Sequence, residues 1–407
     1  LIIHQAEIET KGDAIVVSAR VEIKTSTSIP KYLWYKFPAE SESAISLRGE
    51  AFFNNLFVLG MHFNEEIELR GDISPVFVEN IKKLSSIYYR NDEKKLNIVD
   101  YKFKSVVSPD VTLKRDIHLA SFSGGADSFY TFWSHFYKEK ASHPTNLTHG
   151  LFIHGYDISL NNEETYNHYL SKYKKLFDQW GLGLIPVSTN AYEFYQFRTP
   201  WYYSNTLALA GISMALGNRV ATYSQPGDVD QGNRNRLRPS SNIHLFSTES
   251  TKFSSHAHVI DRSKKLSKML DWSPVQKHLR VCLDANYDQT NHGCQKCEKC
   301  INTNLILYLF DKQNEFSYFD MDITIFKFIR LCWEVSNLSA YRPKGYLSYL
   351  KKKNRTDLIL IYWMMIPVNK LKQFISSELI SRIPKKFLYT IKRKVYKNRN
   401  ISDDGSP

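Results

Sequence analysis

Apolar and polar positions fall into three regimes along the chain. Over residues 1–112, short β-branched or aromatic runs recur at 14–23, 32–37, 56–63 and 66–69. Turn-like residues such as Arg70-Gly71-Asp72 separate them, and one helix is expected over 74–89. The spacing predicts a β-rich N-terminal domain without catalytic patterning, suited to recognition or scaffolding. From residue 117 strands and helices alternate: strands at 117–122, 150–157, 184–189 and 219–224, helices at 127–140, 161–180 and 201–216. Within 161–180, Tyr166, Tyr169, Tyr173, Phe177 and Trp180 recur every three or four residues and form one apolar face, which Gly181 ends. Such alternation predicts an α/β fold, a parallel sheet with helices on both faces. Beyond residue 300 the pattern is helical, at 303–311, 323–335, 355–366 and 371–380. The expected division is 1–112, 113–310 and 311–407.

The 407 residues are 43% hydrophobic, 23% charged and 14% aromatic, which suits two or three packed domains and excludes large-scale disorder. The longest strongly apolar run, residues 358–368, is interrupted by Pro367 and falls short of the roughly 20 residues of a membrane span. No signal peptide opens the chain, and Leu1 in place of Met suggests that the true start is missing. Four of the five cysteines lie between 282 and 300, too clustered for a secreted disulfide framework, so a reducing cytoplasm is expected. The net charge is +13, and residues 381–400 carry eight Lys and Arg with no acid. The rest of the chain is only mildly basic, which argues against a broad nucleic-acid-binding face.

The sharpest motif is Ser123-Gly124-Gly125-Ala126-Asp127-Ser128, between an expected strand and an expected helix. Two glycines allow a tight turn and close approach of backbone to ligand, and the N–H groups that open the helix favour an anion. Ser123 and Ser128 add hydroxyls, and Asp127 can hold a metal ion that neutralises phosphate. No lysine follows the glycines, so the motif is not the GxxxxGK[ST] loop that reaches a β/γ-phosphate; it suits a pyrophosphate that leaves as a unit. A second motif, Cys282, Cys294, Cys297 and Cys300, has C-x11-C-x2-C-x2-C spacing. Four thiolates can close a tetrahedral structural site, for which zinc is the best fit and an iron–sulfur cluster the alternative. Cys332 stands apart in an apolar helix and reads as a core residue.

The glycine motif resembles the SGGxDS loop of the PP-loop ATP pyrophosphatases. That resemblance implies cleavage of ATP between the α- and β-phosphates, with Mg2+, and adenylation of a substrate oxygen. It implies that Ser123, Gly124, Gly125 and Ser128 bind the pyrophosphate portion and that His154 and Asp157 contact the adenosine. Glycine loop and cysteine array in this order resemble the 7-cyano-7-deazaguanine synthase (QueC) family, over residues 117–309. The family implies Zn2+ at the cysteines and activation of a 7-deazaguanine carboxylate for conversion to amide and nitrile. Asn205 resembles the asparagine of the family's GRN segment, although Tyr203 and Ser204 replace its Gly-Arg. Asp228, Asp230 and Arg238 resemble the substrate loop only in order, and Arg262 and Lys265 lie where the family carries a basic residue. The added N- and C-terminal regions resemble enlarged QueC-like proteins of antiphage operons, the Qat type among them, which implies modification of a partner macromolecule.

The expected function is therefore an ATP-dependent, adenylate-forming ligase acting on a small-molecule acid. A protein partner is expected at the N-terminal domain, and the basic tail offers contact with RNA or an acidic surface. Two alternatives stand beside it: a tRNA-thiolating PP-loop enzyme, and a non-catalytic nucleotide-sensing subunit of a defence complex.

Overall fold

The structure is a computed structural model and describes residues 1–25, 29–195, 201–227, 239–281, 297–316, 323–334 and 341–382. Asp228, Asp230, Arg238, Cys282 and Cys294 lie outside the described residues. The fold is α/β, built on one mixed sheet of eleven strands.

The N-terminal strands are β1 (Ile2–Ile3), β2 (Glu7–Lys11), β3 (Ala14–Glu22) and β4 (Tyr32–Pro38). Helix α1 (Glu50–Phe63), strand β5 (Ile67–Ile73), helix α2 (Pro75–Asn91) and strand β6 (Tyr101–Val106) follow. Two expectations are corrected here. The run 56–63 is helical, inside α1, not a strand. Every residue from Ala51 to Met61 is buried, so the helix carries no polar face and its apolar run has no period of 3.6 to betray it. Arg70-Gly71-Asp72 is not a turn between strands; it lies within β5, where the register against β6 shifts between Leu69 and Asp72.

The second half supplies β7 (Ile117–Ser121), α3 (Ala126–Phe136), β8 (His149–His154), α4 (Glu163–Trp180) and β9 (Gly183–Thr189). Then come α5 (Ala191–Tyr195), α6 (Trp201–Ala215), β10 (Val220–Pro226), β11 (Lys252–His256), α7 (Arg262–Met269), α8 (Ser273–His278) and α9 (Glu298–Leu309). Strands β11, β10, β7, β8 and β9 are neighbours in that order and parallel. Successive residues alternate between faces, as the strand period of two requires. Leu119 and Leu151 join a core with α1, α2 and α6, while Ala120 and Phe152 join a second core with α3, α4, α7 and α9. Helix α4 starts on Asn162, whose side chain accepts from the Thr165 N–H at 3.3 Å, and ends on Gly181 at φ 66°.

Strand β4 pairs antiparallel with β9, so the first 112 residues extend the same sheet. Side chains reinforce the join: the Trp34 N–H donates to Asn190 Oδ1 at 3.1 Å and Thr189 Oγ1 donates to the Trp34 carbonyl at 2.7 Å. Helix α1 crosses α6 where Gly211 leaves room. Asn55 Nδ2 donates to Tyr35 Oη at 2.7 Å, and Tyr195 Oη donates to Asn55 Oδ1 at 2.6 Å, a buried network tying strand, helix and core. At the C-terminal end α10 (Ile325–Glu334), α11 (Tyr341–Lys352) and α12 (Thr356–Arg382) cap the second core through Phe328, Leu350, Leu358 and Tyr362. Cys332 is buried there and its thiol is pushed up to about 12 by burial. No helix among the described residues is long and apolar enough to cross a membrane.

A Cβ at Gly211 would sit 1.9 Å from Asn55 Nδ2 and 2.8 Å from the Ala51 carbonyl. Gly211→Ala is expected to force α1 and α6 apart and to cost about 1–3 kcal/mol, read as a lower urea midpoint. An unchanged midpoint would show that the two helices do not need this contact.

Candidate functional site

The site grows from the end of β7. Chain order runs from β7 outward to β8 and β9, then returns to β10 on the other side of β7. The crevice beyond the carboxyl ends of such strands, where the order reverses, is where open α/β sheets hold ligands. Ser123, Gly124 and Gly125 turn the chain there. Gly124 has φ +74° and Gly125 is the N-cap of α3. A Cβ at Gly124 would lie 1.8 Å from Tyr173 Oη, so both conformation and space demand glycine. The turn is clamped by the Arg280 N–H, which donates to the Gly124 carbonyl at 2.7 Å, and by Ser128 Oγ, which donates to the Gly125 carbonyl at 2.9 Å.

Beside the turn lies a cavity of about 270 Å3. Ser123, Gly125, Asp127 and Ser128 line it from the loop, Asp157 from beyond β8, Asn205 from α6 and Arg262 from α7. Seven of the residues singled out in the sequence thus meet at one opening. Gly124 supports the turn, and Lys265 lies behind Asp127. His154 does not line the cavity. Its ring is buried, stacks on Tyr166 at 4.3 Å and hydrogen-bonds through Nε2 to the Ser159 carbonyl at 2.8 Å. Burial holds the ring below the usual imidazole range, which favours its neutral form.

Two lining cations escaped the sequence reading, Arg280 and Lys299. Arg280 is buried, with its guanidinium 5.3 Å from the centre of the Tyr169 ring and Nη1 donating to the Ser123 carbonyl at 3.4 Å. The available signals were positional: Arg280 stands two residues before Cys282, and Lys299 stands between Cys297 and Cys300.

Asp127 is the electrostatic centre. Lys265 Nζ donates to Asp127 Oδ1 at 2.8 Å and also to the Gly227 carbonyl, and Arg262 Nη1 stands 3.7 Å from Oδ2. Burial opposes ionisation of the carboxyl, but Lys265 and Arg262 outweigh it and hold Asp127 below the usual carboxylate range. Arg262 and Lys265 share one face of α7 because they are three apart, and Asp261 caps that helix by accepting from the Ser263 and Lys264 N–H groups. The cavity therefore holds an ionised carboxylate within a ring of cations, which suits a polyanion accompanied by a divalent ion. Among the described residues no three metal-ligating side chains converge. Magnesium commonly takes only one or two carboxylates, with phosphate oxygens and waters completing its shell, and Asp127 and Asp157 are the carboxylates among the cavity-lining residues.

Of the cysteine array, Cys297 is the N-cap of α9 and Cys300 is buried in its first turn. Two cysteine side chains three apart at a helix start can reach one metal ion, and the same turn carries Lys299 to the cavity.

Lys265→Met is expected to cost roughly 3 kcal/mol, because it leaves the Asp127 carboxylate short of its partner. The sign follows from the depressed carboxyl. In the wild type its stabilisation is complete above the ordinary carboxylate pKa and is lost as pH falls through the lowered value. In Lys265→Met that loss should begin at higher pH, read from urea midpoints between pH 3 and 7. Superimposable wild-type and variant profiles would contradict the pairing. No family model matches the chain, and no curated protein or solved structure matches it either.

Proposed function

We propose that the chain is an ATP-dependent adenylate-forming enzyme of the PP-loop type, similar to 7-cyano-7-deazaguanine synthase. The observation that carries this reading is the glycine turn at the strand-order reversal, opening on one cavity with Asp127, Arg262, Arg280 and Lys299 around it. A carboxylate oxygen of the substrate attacks the α-phosphorus of ATP. The bond between that phosphorus and the oxygen bridging to the β-phosphate breaks, and pyrophosphate carries away the electron pair. An amine nucleophile then attacks the acyl carbon, the bond from that carbon to the AMP oxygen breaks with its electron pair leaving on AMP, and the nitrogen releases a proton to solvent, giving an amide.

The protein's share is positioning and charge. The N–H groups opening α3 face the departing anion, and the arginine and lysine side chains stabilise the charge that develops on it. Bound Mg2+ would supply additional charge neutralisation at the phosphates, with Asp127 and Asp157 as its protein ligands. No acid–base pair is required, since adenylation itself creates the leaving group. A 7-deazaguanine carboxylate is the proposed substrate class and a partner macromolecule a proposed acceptor, both resting on the resemblance of the two motifs.

The direct test is product analysis with ATP, Mg2+ and 7-carboxy-7-deazaguanine. AMP and pyrophosphate are expected in equal amounts, with turnover reduced at least tenfold in Asp127→Asn. ADP and phosphate as the products would overturn the assignment. For the cysteines, one zinc per chain is expected, and Cys297→Ser should lower both metal content and thermal midpoint. Iron with acid-labile sulfide would instead favour the thiolating alternative.

A further inference from the structure

A second cavity, of about 220 Å3, lies at the opposite end of the parallel strands from the glycine turn. Two parts of the chain wall it. The N-terminal part supplies Arg48 and Glu50, at the start of α1, and Asp110 and Arg115, in the segment that leads into β7. The core supplies Gly217, between α6 and β10, and Thr248 and Ser250, just before β11. Arg115 and Gly217 precede β7 and β10, whose far ends line the first cavity through Ser121 and Pro226. The two cavities thus stand at opposite ends of the same strands.

The donors on its walls are not all spent. Arg48 Nε and Nη2 donate to Glu50 Oε1 at 3.1 and 3.0 Å, and Nη2 also donates to the Val107 carbonyl at 2.6 Å. Those bonds pair the Arg48 charge and leave the N–H groups of Nη1 without a partner among the described residues. Arg115 has carbonyls for partners and no carboxylate. Its Nε donates to the Gly217 carbonyl at 3.0 Å, Nη1 to the Leu113 carbonyl at 3.3 Å and Nη2 to the Asp110 carbonyl at 2.9 Å. One N–H remains on each Nη, and the guanidinium is fixed in place without its charge being cancelled. The Asp110 carboxylate is engaged elsewhere, accepting from the Thr112 N–H at 2.8 Å and from Thr112 Oγ1 at 2.7 Å. Burial holds Arg115 below the usual guanidinium range, with the Arg48 charge adding to the effect and Asp110 opposing it. On the β11 side, Thr248 Oγ1 accepts from the Ser250 and Thr251 N–H groups at 3.3 and 3.1 Å. Its lone pairs are then filled, so in the 3.3 Å contact between the two hydroxyls Thr248 donates and the Ser250 proton stays free.

We propose that this second cavity binds a small phosphate, free or as a monoester, through Arg48, Arg115 and the Ser250 hydroxyl. A tetrahedral phosphate presents oxygens in several directions at once, so donors from separate walls reach it together, and guanidinium forks match its oxygen pairs. A planar carboxylate, with two oxygens, serves fewer walls. The anion supplies the counter-charge that Arg115 lacks. It also links the N-terminal part, through Arg48, to the core, through Ser250, at the kind of join between chain segments where ligands collect. None of these residues lines the first cavity, so this inference stands apart from the adenylation reading and can fail without it.

The test is calorimetric titration of the full chain with inorganic phosphate and, separately, with glycerol 3-phosphate, at constant ionic strength. A phosphate site is expected that Arg115→Gln weakens at least tenfold and that Arg262→Gln, at the first cavity, leaves unchanged. Arg115 also holds three carbonyls, so a second variant, Ser250→Asp, separates binding from folding. Its carboxylate gives Arg115 a partner and repels phosphate. The thermal midpoint should be kept or raised, while phosphate affinity falls at least tenfold. Phosphate should raise the thermal midpoint of the wild type with increasing occupancy and leave that of Ser250→Asp unmoved. Tighter binding of glycerol 3-phosphate assigns the ligand to a monoester, and equal or weaker binding assigns it to free phosphate. Absence of phosphate binding to the wild type overturns the proposal, as does wild-type affinity in folded Ser250→Asp. Binding lost in Arg262→Gln and kept in Arg115→Gln also overturns it, placing the anion in the first cavity.

Discussion

The turn at Ser123–Gly125 is the constraint on which the rest of the site depends. Gly124 must sit at positive φ directly beneath Tyr173, with no room for a side chain. That geometry swings the chain from the end of β7 into α3, whose first residues line the crevice. Its supports come from distant sequence. Tyr173 belongs to α4, Arg280 arrives after α8, and both hold the turn by contact with its backbone or its vacant side-chain position. The loop is thus a tertiary object, held because two distant segments close on it. Rigidity matters because an oriented set of donors needs no rearrangement when charge develops on a bound anion.

The second organising feature is charge placed against burial. Lys265 is almost fully buried and is tolerated there because Asp127 and the Gly227 carbonyl accept hydrogen bonds from its ammonium. The pair fixes the carboxylate at the cavity wall and leaves its second oxygen facing Arg262. The N-terminal segment contributes differently. It lengthens the sheet through β4 and β9 and buries α1 against α6, so the core behind the site is continuous with the first strands.

Some of this was legible in the sequence because it is local. A hexapeptide between a strand and a helix carries its own chemistry, and the parallel strands announce themselves as apolar runs separated by amphipathic helices. Other features were not local. Helix α1 hid as an apolar run because both of its faces are buried. The pairing of β4 with β9 joins residues more than 150 apart, as Tyr35 and Thr189 show, and no nearby residue encodes it. Arg280 and Lys299 look like ordinary charges until the path of the chain brings them to the cavity. His154 is the one strand-end residue whose place the sequence left open: its ring bonds Ser159 and stacks on Tyr166, and it is not among the cavity-lining residues.

The central claim is that this cavity exchanges pyrophosphate at the α-phosphorus of ATP. Exchange of labelled pyrophosphate into ATP measures that step without requiring the acceptor. The account predicts exchange that depends on a 7-deazaguanine carboxylate and on Mg2+, and that disappears in Gly124→Ala, where the turn can no longer form. Absence of exchange from a folded, ATP-binding wild-type protein across a panel of carboxylates that includes the 7-deazaguanine acid would contradict it.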